Sequence, residues 1–184
     1  MKAYDSSDNY SEASSPLVVE TETIKSVTLA AHYNHSLQVK DDGTVWAWGN
    51  NNYGQLGDGT TTKRLAAVQV INLKAIVAVA AGEQFSLALK NDGTVWAWGS
   101  NYYGELGNGT TNESGEPTQV IGLNNIIDIS AGYGFNLALK DDGTVHAWGY
   151  NYYGQLGEGT NNSLIPIKVN GLSDVKNIFC DILV

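Results

Sequence analysis

Residues 82–110, GEQFSLALKNDGTVWAWGSNYYGELGNGT, alternate apolar and polar side chains on either side of an Asn91-Asp92-Gly93 triplet. That alternation predicts a β-hairpin with a three-residue loop, in which Gly93 takes the left-handed conformation. On the second strand Val95 and Ala97 point to one face, Trp96 and Trp98 to the other. The following YGELGNGT has three glycines in seven residues, which predicts a sharply folded loop whose backbone approaches a neighbour closely. Both faces are too apolar to stand alone.

The same stretch occurs three times. DGTVWAWG starts at Asp42 and again at Asp92, and DGTVHAWG at Asp142, each fifty residues after the last. The glycine loops from Tyr53, Tyr103 and Tyr153 keep that step. The resulting signature is Gly43, Trp48, Gly49, Gly54, Leu56 and Gly57, then Gly93, Trp98, Gly99, Gly104, Leu106 and Gly107, then Gly143, Trp148, Gly149, Gly154, Leu156 and Gly157. A P-x-x-V element followed by an apolar run, read as a strand pair, appears from Pro117 and from Pro166. Ala67–Val70 repeats it with Ala for Pro, and Pro16–Val19 is its expected first copy. The predicted organisation is an acidic, Ser-rich disordered tail over 1–15 and a repeat array over 16–184. Its units are 16–66, 67–116, 117–165 and a partial unit 166–184.

Four short antiparallel strands per fifty-residue unit, each unit needing a neighbour, describe a β-propeller blade. The expected fold is all-β: an incomplete ring or open arc of about three to three and a half blades. No Gly-Gly marks a kelch blade, and the WD signature is missing. The stretch from Gly82 resembles the repeat of the regulator of chromosome condensation family, whose propellers typically have seven blades. Two family positions vary here. The opening glycine reads His32, Gly82 and Gly132, and the histidine three residues on reads His35, Phe85 and Phe135. The light-sensing branch places Trp after that glycine; this chain has Tyr33, Glu83 and Tyr133.

Composition narrows the function. Charged residues are 16% of the chain, against roughly 25% in ordinary soluble domains, and 21 of 184 residues are glycine. The formal net charge is −9 with a single arginine, Arg64, which disfavours nucleic acid as a partner. No apolar run approaches the ~18 residues of a membrane span, so no membrane insertion is expected. The first 25 residues carry no signal-peptide core, which points to the cytoplasm for the chain as written. The TVWAWG repeats with low charge resemble those of bacterial surface repeat proteins, a resemblance that implies an extracellular or cell-surface parent protein. One cysteine, Cys180, makes no internal disulfide.

No nucleophile motif, phosphate loop or metal motif is present, so no enzyme activity, cofactor or metal is expected. His32 and His35, read as three apart on one extended segment, lean to opposite faces. The paired acidic residues before Gly43, Gly93 and Gly143 are read as turn formers, not calcium ligands. Trp48, Trp98 and Trp148 read as packing between blades, and Tyr53, Tyr103 and Tyr153, one per loop and fixed by the repeat, read as structural. The candidate binding residues at loop tips are Tyr102, Tyr150 and Tyr152, joined by the variable position Trp46, Trp96 and His146. The variable tips are Asn50, Ser100 and Tyr150, then Asn51-Asn52, Asn101-Tyr102 and Asn151-Tyr152, and 61–66, 111–116 and 161–165 form a second candidate surface. Tyrosines beside Asn and Ser suit recognition because they give large contact area at low entropy cost. The function expected is a non-catalytic module binding a protein or a glycan, either as part of a larger propeller or by self-association that completes a ring. The resemblance implies an alternative, guanine-nucleotide exchange on a Ran-type small GTPase.

Overall fold

The computed structural model describes residues 28–180, and among these there are twelve β-strands and no helix. The first sheet holds β1 (Leu29–His32), β2 (His35–Val39), β3 (Val45–Gly49) and β4 (Arg64–Gln69). The second holds β5 (Ile76–Ala81), β6 (Phe85–Lys90), β7 (Val95–Gly99) and β8 (Ser114–Gln119). The third holds β9 (Ile126–Ala131), β10 (Phe135–Lys140), β11 (Val145–Gly149) and β12 (Ser163–Lys168). Each sheet is antiparallel with its strands in chain order, so each is one blade. The hairpins form as predicted. Gly93 has φ +77°, and Asp92 Oδ1 accepts from both the backbone N–H and the hydroxyl of Thr94.

The innermost strands β1, β5 and β9 surround an axial cavity of about 350 Å³, together with residues 178–180. Residues 175–180 take the place of an innermost strand beside β9. The Val175 N–H donates to Gly143 O at 3.1 Å, as Ile126 does to Gly93 and Ile76 to Gly43. The Cys180 N–H donates to Ser130 Oγ at 2.8 Å.

The sequence units are out of phase with the blades. Boundaries at 66/67, 116/117 and 165/166 fall inside β4, β8 and β12. The P-x-x-V strand and the apolar run after it do not pair. The former is the outer strand of one blade and the latter the inner strand of the next. The chain must cross from rim to axis between them, which Asn72 and Ala75 in the first crossing accomplish with φ of 56° and 60°. The expected first copy at Pro16–Val19, the tail over 1–15 and the last four residues lie outside the described residues.

Hydrophobic cores sit between blades. One joins Leu37, Val45, Leu56 and Val70 of the first blade to Val79, Ala88 and Trp98 of the second; the other joins Leu87, Val95, Leu106 and Val120 to Ala138 and Trp148. Trp98 and Trp148 are fully buried. Each indole also closes a latch. Gln55 O accepts from Trp98 Nε1 and Ser86 Oγ, both at 2.8 Å, and Glu105 O accepts from Trp148 Nε1 and Asn136 Nδ2, both at 2.9 Å. The packing role assigned to these tryptophans is therefore a contact from one blade's second hairpin strand to the glycine loop of the blade before it. A Cβ on Gly107 (φ +59°) would stand 2.9 Å from Trp148 Nε1, so the latch requires glycine there.

A tyrosine-rich loop face as the candidate binding site

In every blade the turn between the first two strands and the long loop between the last two emerge at the same end. All eight tyrosines between residues 28 and 180 lie in these segments: Tyr33, Tyr53, Tyr102, Tyr103, Tyr133, Tyr150, Tyr152 and Tyr153. The acidic hairpin turns with Lys40, Lys90 and Lys140 lie at the other end.

Buried asparagines set the loops. Asn101 Nδ2 donates to the carbonyls of Thr110 and Asn112, each at 2.9 Å, while its Oδ1 accepts from the Leu106 N–H at 2.9 Å. Asn51 and Asn151 do the same work in their loops, and all three are at most 1% exposed. Sequence reasoning placed these asparagines among variable tips; the structure makes them internal pins. Their identity in all three copies is the signal that could have separated them from Asn52, Tyr102 and Tyr152 beside them. Gly104 (φ +88°) meets the Leu164 backbone of the next blade, where a Cβ would stand 2.8 Å from Leu164 Cα. The loop thus touches its neighbour as its glycines predicted.

On this frame the tyrosines run as a continuous chain. Ring centroids are 4.8 Å apart for Tyr102–Tyr103, 4.6 Å for Tyr103–Tyr150, 6.5 Å for Tyr150–Tyr152 and 5.0 Å for Tyr152–Tyr153. Tyr102 and Tyr152 are 76% and 67% exposed, Tyr150 is half-buried, and Gly134 leaves room for Tyr103 and Tyr150 to meet over it. Tyr153, expected to be structural, is instead 82% exposed.

Trp46, Trp96 and His146 are not at loop tips. They sit on β3, β7 and β11 near the acidic turns, where Trp46 and Trp96 donate to Thr44 and Thr94. Lys40 Nζ lies 3.5 Å from the Trp46 ring centroid, a cation–π contact at the far end of the blade from the tyrosines. The structure does not bring these three together with Tyr102, Tyr150 and Tyr152.

His32 and His35 also differ from the expectation. Tyr33 (φ +51°) and Asn34 form a tight turn, so the two histidines are directly paired across β1 and β2 and share a face. The Ser86 hydroxyl has one proton and gives it to Gln55 O, so the His35 Nε2–H is the donor in the 2.9 Å contact with Ser86 Oγ. His35 Nδ1 is then bare, buried and without a partner among the described residues. Burial, with His32 beside it, lowers the His35 pKa to about 4. No group of three or more His, Cys, Asp or Glu side chains suited to a metal occurs among the described residues.

Between the blades a cavity of about 250 Å³ opens on the tyrosine face, lined by Tyr53, Tyr102, Tyr103, Tyr133, Glu83 and Glu105 among others. Burial raises the pKa of both glutamates, and the Glu83 carboxylate beside Tyr133 raises that phenol's. The only arginine is held elsewhere, 2.7 Å from Asp58. Neither glutamate was singled out from the sequence. The one visible signal is Glu105 standing where the sister loops have Gln55 and Gln155.

A family model described as the regulator of chromosome condensation (RCC1) repeat matches residues 42–89, 92–139 and 142–180, well over half of the chain. A second RCC1 repeat model matches 27–55, 76–105 and 126–155. The human E3 ubiquitin-protein ligase HERC2 is 43% identical over 60 residues, 32% of this chain and 1% of that protein. Mouse Protein RCC2 is 40% identical over 67 residues, 35% of this chain and 12% of that one. Among solved structures, human WBSCR16 aligns with a TM-score of 0.68 at 26% identity, covering 80% of this chain and 40% of its own. Yeast RCC1 (Prp20), bound to Kap60, aligns with a TM-score of 0.68 at 24% identity, covering 83% and 39%. The chain therefore spans about two fifths of the solved propellers and a far smaller part of HERC2 and RCC2.

Proposed function

Because the chain belongs to the regulator of chromosome condensation repeat family, we propose that it is a non-catalytic propeller module that holds a protein partner on its tyrosine-rich loop face. The observation that carries this reading is the unbroken chain of rings from Tyr102 to Tyr153, spread over the second and third blades on rigid, asparagine-pinned loops. Packed aromatic side chains are already ordered before a partner arrives, so contact costs little further entropy. The blades supply rigidity, and the loop tips supply the chemistry of recognition.

The test is affinity capture with the native chain and with a variant carrying Tyr102→Ser, Tyr150→Ser and Tyr152→Ser. Proteins retained by the native chain should be lost from the variant; an unchanged set would sink the reading. Guanine-nucleotide exchange on a small GTPase is the competing activity implied by family resemblance. It requires accelerated release of labelled GDP from the GTPase, and a flat trace removes it.

A further inference from the structure

We propose that the cavity bounded by Glu83, Glu105, Tyr53, Tyr102, Tyr103 and Tyr133 is a cation box that takes an alkylammonium group, the head of a lysine side chain on a protein partner. This deepens the loop-face reading and rests on it, since the box opens on the same surface and shares Tyr102 and Tyr103 with the chain of rings.

Three features converge on a cation. The walls are phenol rings, whose faces carry partial negative charge. Two carboxylates enter the same small space, and no lysine or arginine among the described residues lies within ion-pair distance of either. Glu105 is also nearly enclosed. It is 4% exposed, and its carboxylate is met by backbone N–H groups of its own turn, with the Tyr103 N–H reaching Oε2 at 2.8 Å. No side chain among the described residues donates to either oxygen. A carboxylate so enclosed, held by backbone N–H groups alone, gains from a positive group that enters beside it.

Comparison with the first blade sharpens the point. There Gln55 occupies the same position, and its amide is used at both ends: Oε1 accepts from the Tyr53 N–H at 3.0 Å, and Nε2 donates to Asn50 Oδ1 at 3.1 Å. In the second blade Ser100 replaces Asn50, and Glu105 has nothing to donate. The second internal bond has been given up, and an acceptor faces the cavity in its place.

The geometry favours ammonium over guanidinium. A forked arginine pair would have to share Glu105 Oε2 with the Tyr103 N–H already bound there. A compact ammonium can divide its donors between Glu105 and Glu83 while its methylene stem lies along the tyrosine rings.

The probe is n-butylammonium, titrated onto the full chain while tyrosine ring resonances are followed by NMR. Saturable shifts are expected for Tyr53, Tyr103 and Tyr133 in the millimolar range. Glu105→Gln and Glu83→Gln should each weaken binding at least tenfold. Glu158→Gln, which removes the same charge from a loop outside the box, should leave it unchanged. Gln at the equivalent positions 55 and 155 shows that the fold accepts Glu105→Gln, and unchanged urea midpoints would verify this for each variant. Equal binding of n-butanol, tighter binding of n-butylguanidinium, or insensitivity to both glutamate variants would each overturn the proposal. Absence of butylammonium binding, with partner capture still lost in the triple tyrosine variant, would reject the box and keep the loop-face reading.

Discussion

The two interfaces between blades share one plan and differ in the side chains that complete it. Between the first and second blades the carbonyl of Gln55 is held by Trp98 and Ser86, and His35 donates to Ser86 from behind. Between the second and third blades the carbonyl of Glu105 is held by Trp148 and Asn136, and Phe85 stands where His35 stood. Phe85 has no donor to give, and Asn136 Oδ1 is buried without a partner among the described residues. The opening residue explains the exchange of rings. A Cβ at Gly82 would collide with the Phe85 ring, so Phe lies over glycine. In the first blade His32 fills that space, and the ring at 35 is a histidine bonded across the interface. One interface is closed by a polar relay, the other by an aromatic ring on a glycine.

The comparison breaks most visibly at the latch tryptophans. Trp98→Ala and Trp148→Ala should each destabilise the fold by about 3–5 kcal/mol, because a large buried ring and one bond to the shared carbonyl go together. Trp48 is half-buried with no latch among the described residues, so Trp48→Ala should cost clearly less. Urea unfolding midpoints rank the three, and equal losses would show that the latch adds nothing.

The next effect is acid sensitivity, which belongs to the first interface. His35 titrates near 4 when folded and near 6.5 when unfolded, so the unfolded chain binds more protons between those values. Its stabilising effect is complete above pH 6.5 and falls away as the pH drops towards 4, by about 2–3 kcal/mol. Burial lowers the pKa of His32 as well, which acts in the same direction. Replacing the pair with its counterparts from the later blades, His32→Gly with His35→Phe, should flatten this part of the stability profile. His146, whose pKa burial also lowers, retains a smaller slope in the same sense. An unchanged profile in the double variant would assign the acid loss to other groups.

Asn136→Ser places the first interface's hydroxyl in the second. It removes the unpartnered Oδ1 and should gain about 1 kcal/mol; a loss would break the equivalence of the two sites. Smallest of all, Glu105→Gln makes the second loop resemble the first and should change stability at pH 7 by under about 1 kcal/mol. A larger loss in urea unfolding would mean that Glu105 is structural and not held open for a ligand.

The blade itself was legible because it is local. Alternation around Asp-Gly turns, read three times at one spacing, specifies strands, hairpins and the need for neighbours. Phase was not legible, because strand pairing across Val45–Gly49 and Arg64–Gln69 skips a long loop, whereas the sequence break invites a cut inside the latter strand. The histidine pair was misplaced for a related reason: a two-residue turn at Tyr33-Asn34 carries no glycine to announce it. The tyrosine face could be read in outline, since the tips vary while the frame does not. Its glutamates could not, because Glu105 matters through what its cavity lacks, and a missing partner leaves no mark in sequence.

The latch has a further consequence for how such a chain can change in length. Each described blade carries an indole with a small polar residue, and seven residues after the indole a loop carbonyl; the two latches formed join positions 43 apart, and the pattern recurs every fifty residues. A tandem duplication of one unit therefore arrives with both halves of its own joint, whichever point within the unit the duplication begins from. Growth by whole units needs no new interface to be invented, and the array has a direction, so added units can face only one way.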